Sequence, residues 1–193
     1  MFKFLQKLFL KAFQGFRIWH YRFLSNAILS GAKPNLKQPM QTVGSGVIEF
    51  ASGVSIGFFP SPFFFSSYAY LDARNQTAKI FIGKDSSINN GFVAIAEHTS
   101  IKIGERVLIG TNVEIFDSDF HGIKPTERHL SKPEWARPVQ IGDDVFIGSN
   151  VRICKGVIIG SGSVIANSSI VTQAIPAGVI AAGNPAAIIR SIN

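Results

Sequence analysis

The chain has 193 residues, 46% of them apolar, enough for one sizeable domain plus an appendage. One cysteine, Cys154, excludes an internal disulfide and reads as a small structural residue beside a core position. The net charge of +7 is local: seven Lys and Arg and no acidic residue precede Glu49, while the other twelve balance the twelve Asp and Glu. This excludes a chain basic throughout and points to one anionic surface met by the N-terminal segment.

Residues 2 to 24 predict an amphipathic helix, within a basic segment 1–30. Leu5, Leu8, Phe9, Ala12, Phe16, Trp19 and Phe23 recur at 3- and 4-residue steps, opposite Lys3, Lys7, Lys11, Gln14 and Arg17. The recurring charges exclude a membrane span and break the apolar core that a signal peptide needs. Two placements are open: the helix lies in a bilayer interface, or it packs its aromatic face on the rest of the chain or on a neighbouring subunit. No nucleic-acid motif accompanies the basic residues, so no such partner is expected.

Gly31, Pro34 and Pro39 predict a linker over 31–42, with an irregular first coil after Val43. FFPSPFFFSSYAY, residues 58–70, predicts an insertion packed beneath the helix, with stacking on a sugar as the alternative. Hexads begin with IGKDSS (82–87) and INNGFV (88–93), and the register slips by three between Ala94 and Ile103. IGERVL and IGTNVE follow, and then the frame breaks over about 117–138. That stretch carries Asp117, Asp119, His121, His129 and three prolines and predicts a polar loop expelled from a rigid scaffold.

From Ile141 to Ile175 the frame is unbroken. Aliphatic residues stand at 141, 147, 153, 159, 165 and 171, and a second inward set at 145, 151, 157, 163, 169 and 175. A period of six fits neither helix nor alternating strand. It fits short straight strands joined by tight corners, eased by the Gly or Ala at 142, 148, 160 and 166, and stacked as a parallel solenoid.

With DSDFH upstream and NPAAIIR near the C-terminus, these hexads make residues 43–193 resemble the hexapeptide-repeat acyltransferases. The resemblance implies a mainly-β, left-handed parallel β-helix carrying an N-terminal helix and an extruded loop. It implies a homotrimer that moves acetyl from acetyl-CoA, and among branches it is nearest the bacterial polysaccharide and sugar O-acetyltransferases. The expected acceptor is therefore a sugar hydroxyl of a surface polysaccharide or its lipid-linked precursor. The expected location is cytoplasmic, and peripheral on the inner face of the cytoplasmic membrane where residues 1–24 take the bilayer placement of the two left open above. An antibiotic O-acetyltransferase and a non-catalytic membrane-docking scaffold are the alternatives.

Acetyl transfer to a hydroxyl needs a base for the hydroxyl proton and donors for the tetrahedral oxyanion. His121 matches the family's base, with Asp117 or Asp119 near enough in sequence to hold its tautomer. Asn90 matches the residue that positions the acceptor, although Asn89 is adjacent. Ser149 matches the backbone oxyanion donor. Phe146, Ser149, Asn167, Thr172 and Arg190 match the coenzyme groove, although Ala187 stands where a basic residue is common. No metal is expected, since His121 and His129 lack the five-residue spacing of the family's zinc enzymes.

Overall fold

The computed structural model describes residues 2–192, without the side chains of Phe2, Lys3 and Lys7, so the cationic role expected of Lys3 and Lys7 lies outside the described residues. One helix, α1 (Phe2–Phe23), precedes a stack of short parallel strands forming a three-sided β-helix.

Face 1 stacks Ile28–Gly31, Val47–Phe50, Lys79–Ile82, Ser100–Ile103, Val139–Ile141 and Ile158–Ile159. Face 2 stacks Asn35–Leu36, Ser55–Ile56, Ser87–Ile88, Leu108–Ile109, Phe146–Ile147, Val164–Ile165 and Val179–Gly183, and ends in the antiparallel strand Ala186–Ser191. Face 3 stacks Met40–Val43, Ala69–Ala73, Val93–Ala96, Glu114–Phe116, Arg152–Ile153 and Ile170–Val171. Each coil visits the faces in that order.

The hexad frame accounts for the core. Both inward columns are buried, including Ile147, Ile153, Ile165, Val151 and Val157. Ser163 and Ser169 are buried there too, and their hydroxyls donate to the Pro176 and Ala166 carbonyls. Burying one such aliphatic side chain is worth roughly 1.5–3 kcal/mol, so the column supplies most of the cohesion.

The glycine that follows the aliphatic residue works differently from the expected easing of a corner. Gly142, Gly148 and Gly160 are absent from the left-handed region. Two positions further on, Asp144, Asn150, Gly156, Gly162 and Ser168 occupy it, with φ between 58° and 75°. What Gly148 supplies is room: a Cβ there would sit 2.7 Å from the Asn167 amide nitrogen of the next coil. Close stacking of coils sets that position, and the turn proper belongs to the fourth residue of the hexad.

The linker expected over 31–42 is a coil. Ile28–Gly31 pairs with Val47–Phe50, Asn35–Leu36 with Ser55–Ile56, and Met40–Val43 with Ala69–Ala73. Its first strand is exposed, so apolar patterning could not reveal it. Backbone pairing to the coil below is what holds it. The three-residue slip after Ala94 is the corner Glu97–Thr99 between faces 3 and 1.

Helix α1 lies against the solenoid, but through the opposite side from its aromatic stripe. Gln14 is buried and donates to the Phe64 carbonyl. Arg17 donates to the Phe64 and Ser67 carbonyls, and Tyr21 packs on Tyr68 with ring centroids 4.4 Å apart. Leu5, Phe9, Phe16, Trp19 and Phe23 all face solvent. No helix among the described residues is long and apolar enough to cross a membrane.

Candidate functional site

The loop 117–138 leaves the solenoid at the edge between faces 3 and 1 and returns to Val139. Asp117 anchors its start. Fully buried, it accepts hydrogen bonds from the amides of Glu97, His98 and Thr99 and from the Thr99 hydroxyl. Four donors on one carboxylate make a strong, charge-assisted clasp across the corner of the preceding coil. Further on, Ser131 donates to Glu97 at 2.7 Å, and Lys155 binds both Asp119 and the Trp135 carbonyl. The loop is therefore pinned at both ends and in the middle.

His121 stands exposed on this loop. Its Nδ1 lies 2.8 Å from the carbonyl oxygen of Arg128. A carbonyl only accepts, so Nδ1 carries the proton, and in the neutral ring the Nε2 lone pair points away as a base. The expected aspartate does not do this. Asp117 is spent on the corner and Asp119 on Lys155, so a backbone carbonyl sets the tautomer. No side-chain signal could have foretold Arg128, because only its backbone acts.

On face 2 lies an open groove of about 410 Å³, lined by Lys37, Phe58, Asn89, Leu108, Gly110 and Phe146 among others. Phe146, expected at the coenzyme, is half-exposed there. Asn90, expected to hold the acceptor, is not available to it. Its Nδ2 donates to the Phe58 and Pro62 carbonyls and its Oδ1 accepts from the Phe58 amide, all in a fully buried side chain. Asn90 therefore secures the aromatic loop whose Phe58 forms the groove's rim, and its neighbour Asn89 faces the groove.

Ser149 and Asn167 also have structural duties. The Ser149 amide donates to Asn167 Oδ1 at 2.8 Å, and the Thr111 amide donates to the Ser149 hydroxyl at 3.1 Å. These are rungs of one ladder at the edge between faces 2 and 3, so an oxyanion role for that amide requires the Asn167 bond to open. Thr172 and Arg190 are exposed, and the Arg190 guanidinium donates to the Ser191 carbonyl. Among the described residues no group of three His, Cys, Asp or Glu side chains could hold a metal.

The expected base and the groove that holds Phe146 thus lie in two different places on one chain. His121 belongs to the edge between faces 3 and 1, and the groove belongs to face 2, on the far side of a triangular prism. Asn89 stood in the sequence only as the alternative to Asn90, and Lys37 and Gln38 were missed. Gln38 is fully buried and donates to the Phe63 and Ser67 carbonyls, a second fastener of the aromatic loop.

Residues 138–173 match the bacterial transferase hexapeptide (six repeats) family. The galactoside O-acetyltransferase of Escherichia coli is 39% identical over 118 residues, which is 60% of this chain and 56% of that protein. The chain thus spans little more than half the length of the curated relatives it matches. The hexapeptide-repeat acetyltransferase of Vibrio cholerae matches with TM-score 0.58 and 28% identity, covering 93% of this chain and 81% of that one. The same protein complexed with acetyl coenzyme A matches with TM-score 0.56 and 24% identity, over 95% and 87%. The polysialic-acid-specific acetyltransferase NeuO gives TM-score 0.58 and 28% identity over 86% and 70%. Repeat, sheet topology and relatives agree: the solenoid is a left-handed parallel β-helix that carries the bacterial transferase hexapeptide repeat over residues 138–173 and is similar to the hexapeptide-repeat acetyltransferases.

Proposed function

We propose that the protein is an acetyl-CoA-dependent O-acetyltransferase acting on a sugar hydroxyl of a surface polysaccharide or its lipid-linked precursor. The observation that carries this reading is His121, an exposed imidazole on the loop expelled from the solenoid, with Nδ1 committed to the Arg128 carbonyl and Nε2 free as a base. The sugar acceptor is favoured by the galactoside and polysialic-acid acetyltransferases among the relatives.

In this mechanism Nε2 takes the proton of the acceptor hydroxyl as its oxygen attacks the thioester carbonyl. The tetrahedral oxyanion then collapses, the carbon–sulfur bond breaks, and the proton returns from the imidazolium to the leaving thiolate. The Arg128 carbonyl keeps its bond to Nδ1–H throughout and stabilises the positive ring. Phe146 and Leu108 give the face-2 groove apolar walls for the coenzyme's arm, and Asn89 supplies a polar contact.

Because base and groove lie on opposite sides of one chain, the reading requires a second copy whose groove meets the first copy's loop. A closed homotrimer satisfies this three times over. The enzyme is placed in the cytoplasm, peripheral on the inner membrane face through residues 1–24, where a lipid-linked precursor is held.

The test is coenzyme release measured across free, nucleotide-linked and lipid-linked sugars, with amino sugars included. His121→Ala is expected to lower kcat by ~10²–10⁴ with little change in coenzyme affinity. Activity within threefold of the parent would remove His121 as base. Acetyl found on nitrogen in place of oxygen would change the acceptor class.

A further inference from the structure

The aromatic stripe of α1 does not end with the helix. Phe9 stacks on Phe13 with ring centroids 6.1 Å apart, Phe13 meets Phe65 at 6.4 Å, and Phe65 meets Phe59 at 5.9 Å. Phe58, Phe59, Phe63 and Phe65 of the loop are each about half exposed, as are or more so Phe9, Phe16, Trp19 and Phe23 of the helix. One contiguous aromatic surface therefore runs from the N-terminal helix across the insertion between faces 2 and 3. A soluble surface rarely leaves so many large apolar side chains together unless something covers them.

The surface is held rigidly from beneath by buried polar groups. Gln14 and Arg17 fasten the helix to the Phe64 carbonyl, Gln38 fastens Phe63 and Ser67, and Asn90 fastens Phe58 and Pro62. Polar residues on the inner side and phenylalanines on the outer side invert the usual order of a docked helix. The inversion makes sense only if the outer medium is itself apolar. The charge of the segment names that medium. No acidic residue precedes Glu49, Lys11 and Arg22 of the helix are exposed, and the exposed Lys37 stands with its Nζ 5.8 Å from the centre of the Phe58 ring.

We infer that α1 and the loop 58–65 together form one docking surface for an anionic lipid bilayer, with the loop's Phe58 carrying that surface to the rim of the face-2 groove. The aromatic rings enter the interface, the Lys and Arg side chains meet the headgroups, and the groove opens beside the membrane. The inference rests on the proposed reaction only for what enters the groove, a sugar still attached to its lipid. Bilayer docking stands apart from it.

The experiment uses the full chain and vesicles of phosphatidylcholine, with and without one part in four of phosphatidylglycerol. A Trp135→Phe background leaves Trp19 as the reporter. The parent is expected to co-sediment with the anionic vesicles at low salt, and Trp19 fluorescence to be quenched by bilayer-embedded brominated chains. Phe16→Ser with Trp19→Ser, and separately Phe59→Ser with Phe65→Ser, should each weaken sedimentation by about tenfold or more. Thermal midpoint and coenzyme release on a soluble acceptor should stay unchanged in both. Lys11→Glu with Arg22→Glu should weaken binding at low salt and make little difference at about 1 M, where charges are screened beyond about 3 Å.

Absence of sedimentation by the parent overturns the inference, and so does a loop pair that binds as the parent does. A loss of oligomeric mass in the aromatic variants also overturns it, because a second copy of the chain would then be what covers the face. Vesicle binding by a protein that releases no coenzyme with any acceptor supports the docking surface and removes the proposed reaction instead.

Discussion

Asn89 and Asn90 show how much one residue decides in a repeat of six. Ile88 fills the inward column, Asn89 faces the groove, and Asn90 turns under the aromatic loop, where its amide satisfies three backbone groups. The hexad frame says which residues point inward, but a corner residue's direction depends on what is inserted beside it. Cys154 is simpler. Burial, partly offset by Arg152 and reinforced by Asp119, raises its thiol pKa above the ordinary range. Because the thiolate is the reactive form, alkylation near pH 8 should be about tenfold or more slower in the folded protein than in denaturant. Equal rates, followed by mass spectrometry, would show a thiol more accessible than its packing allows. His121 was legible as the candidate for the proposed base from its place in the loop, whereas the carbonyl that orients it was not, because backbone groups leave no mark in a sequence.

Among elements, the coil was the most legible and the loops the least. Burial at the first and fifth hexad positions follows from a frame that any reader can count. The glycine at the second position is legible as a constraint, but its cause is not: the obstacle is the next coil's backbone. Gly148→Ala should therefore cost roughly 1–3 kcal/mol, seen as a lower urea midpoint, since its new Cβ meets the main chain of Asn167. Gly162→Asn should be nearly neutral, because φ is +67° there, a region Asn tolerates, and nothing stands within 4 Å of the added Cβ. Equal losses at the two positions would mean that conformation, and not stacking distance, sets the repeat. The coil over 28–43 escaped notice because its first strand is exposed on a terminal coil, where pairing replaces apolar pattern. Helix α1 was predicted by periodicity almost to the residue, yet periodicity cannot say which medium its apolar stripe meets.

At the scale of the molecule, the arrangement of faces is itself a functional constraint. The strands before and after the loop of His121 belong to faces 3 and 1, while every strand contributing to the groove belongs to face 2. A triangular cross-section puts that edge and that face on opposite sides, and no movement of a loop pinned by Asp117, Ser131 and Lys155 carries His121 around the prism. Each proposed site therefore takes its base from one subunit and its groove from the next. Two defective chains should then repair each other. His121→Ala lacks the base but keeps the groove, and Leu108→Glu blocks the groove but keeps the base. Each alone should be inactive, with unchanged mass by light scattering. Co-expressed in equal amounts and mixed at random, about one interface in four joins an intact loop to an intact groove, so activity should return toward a quarter of the parent's. A protein that works within one subunit gains nothing from mixing. Full inactivity of the mixed assembly would thus place base and groove on the same chain, as would full activity of a monomer.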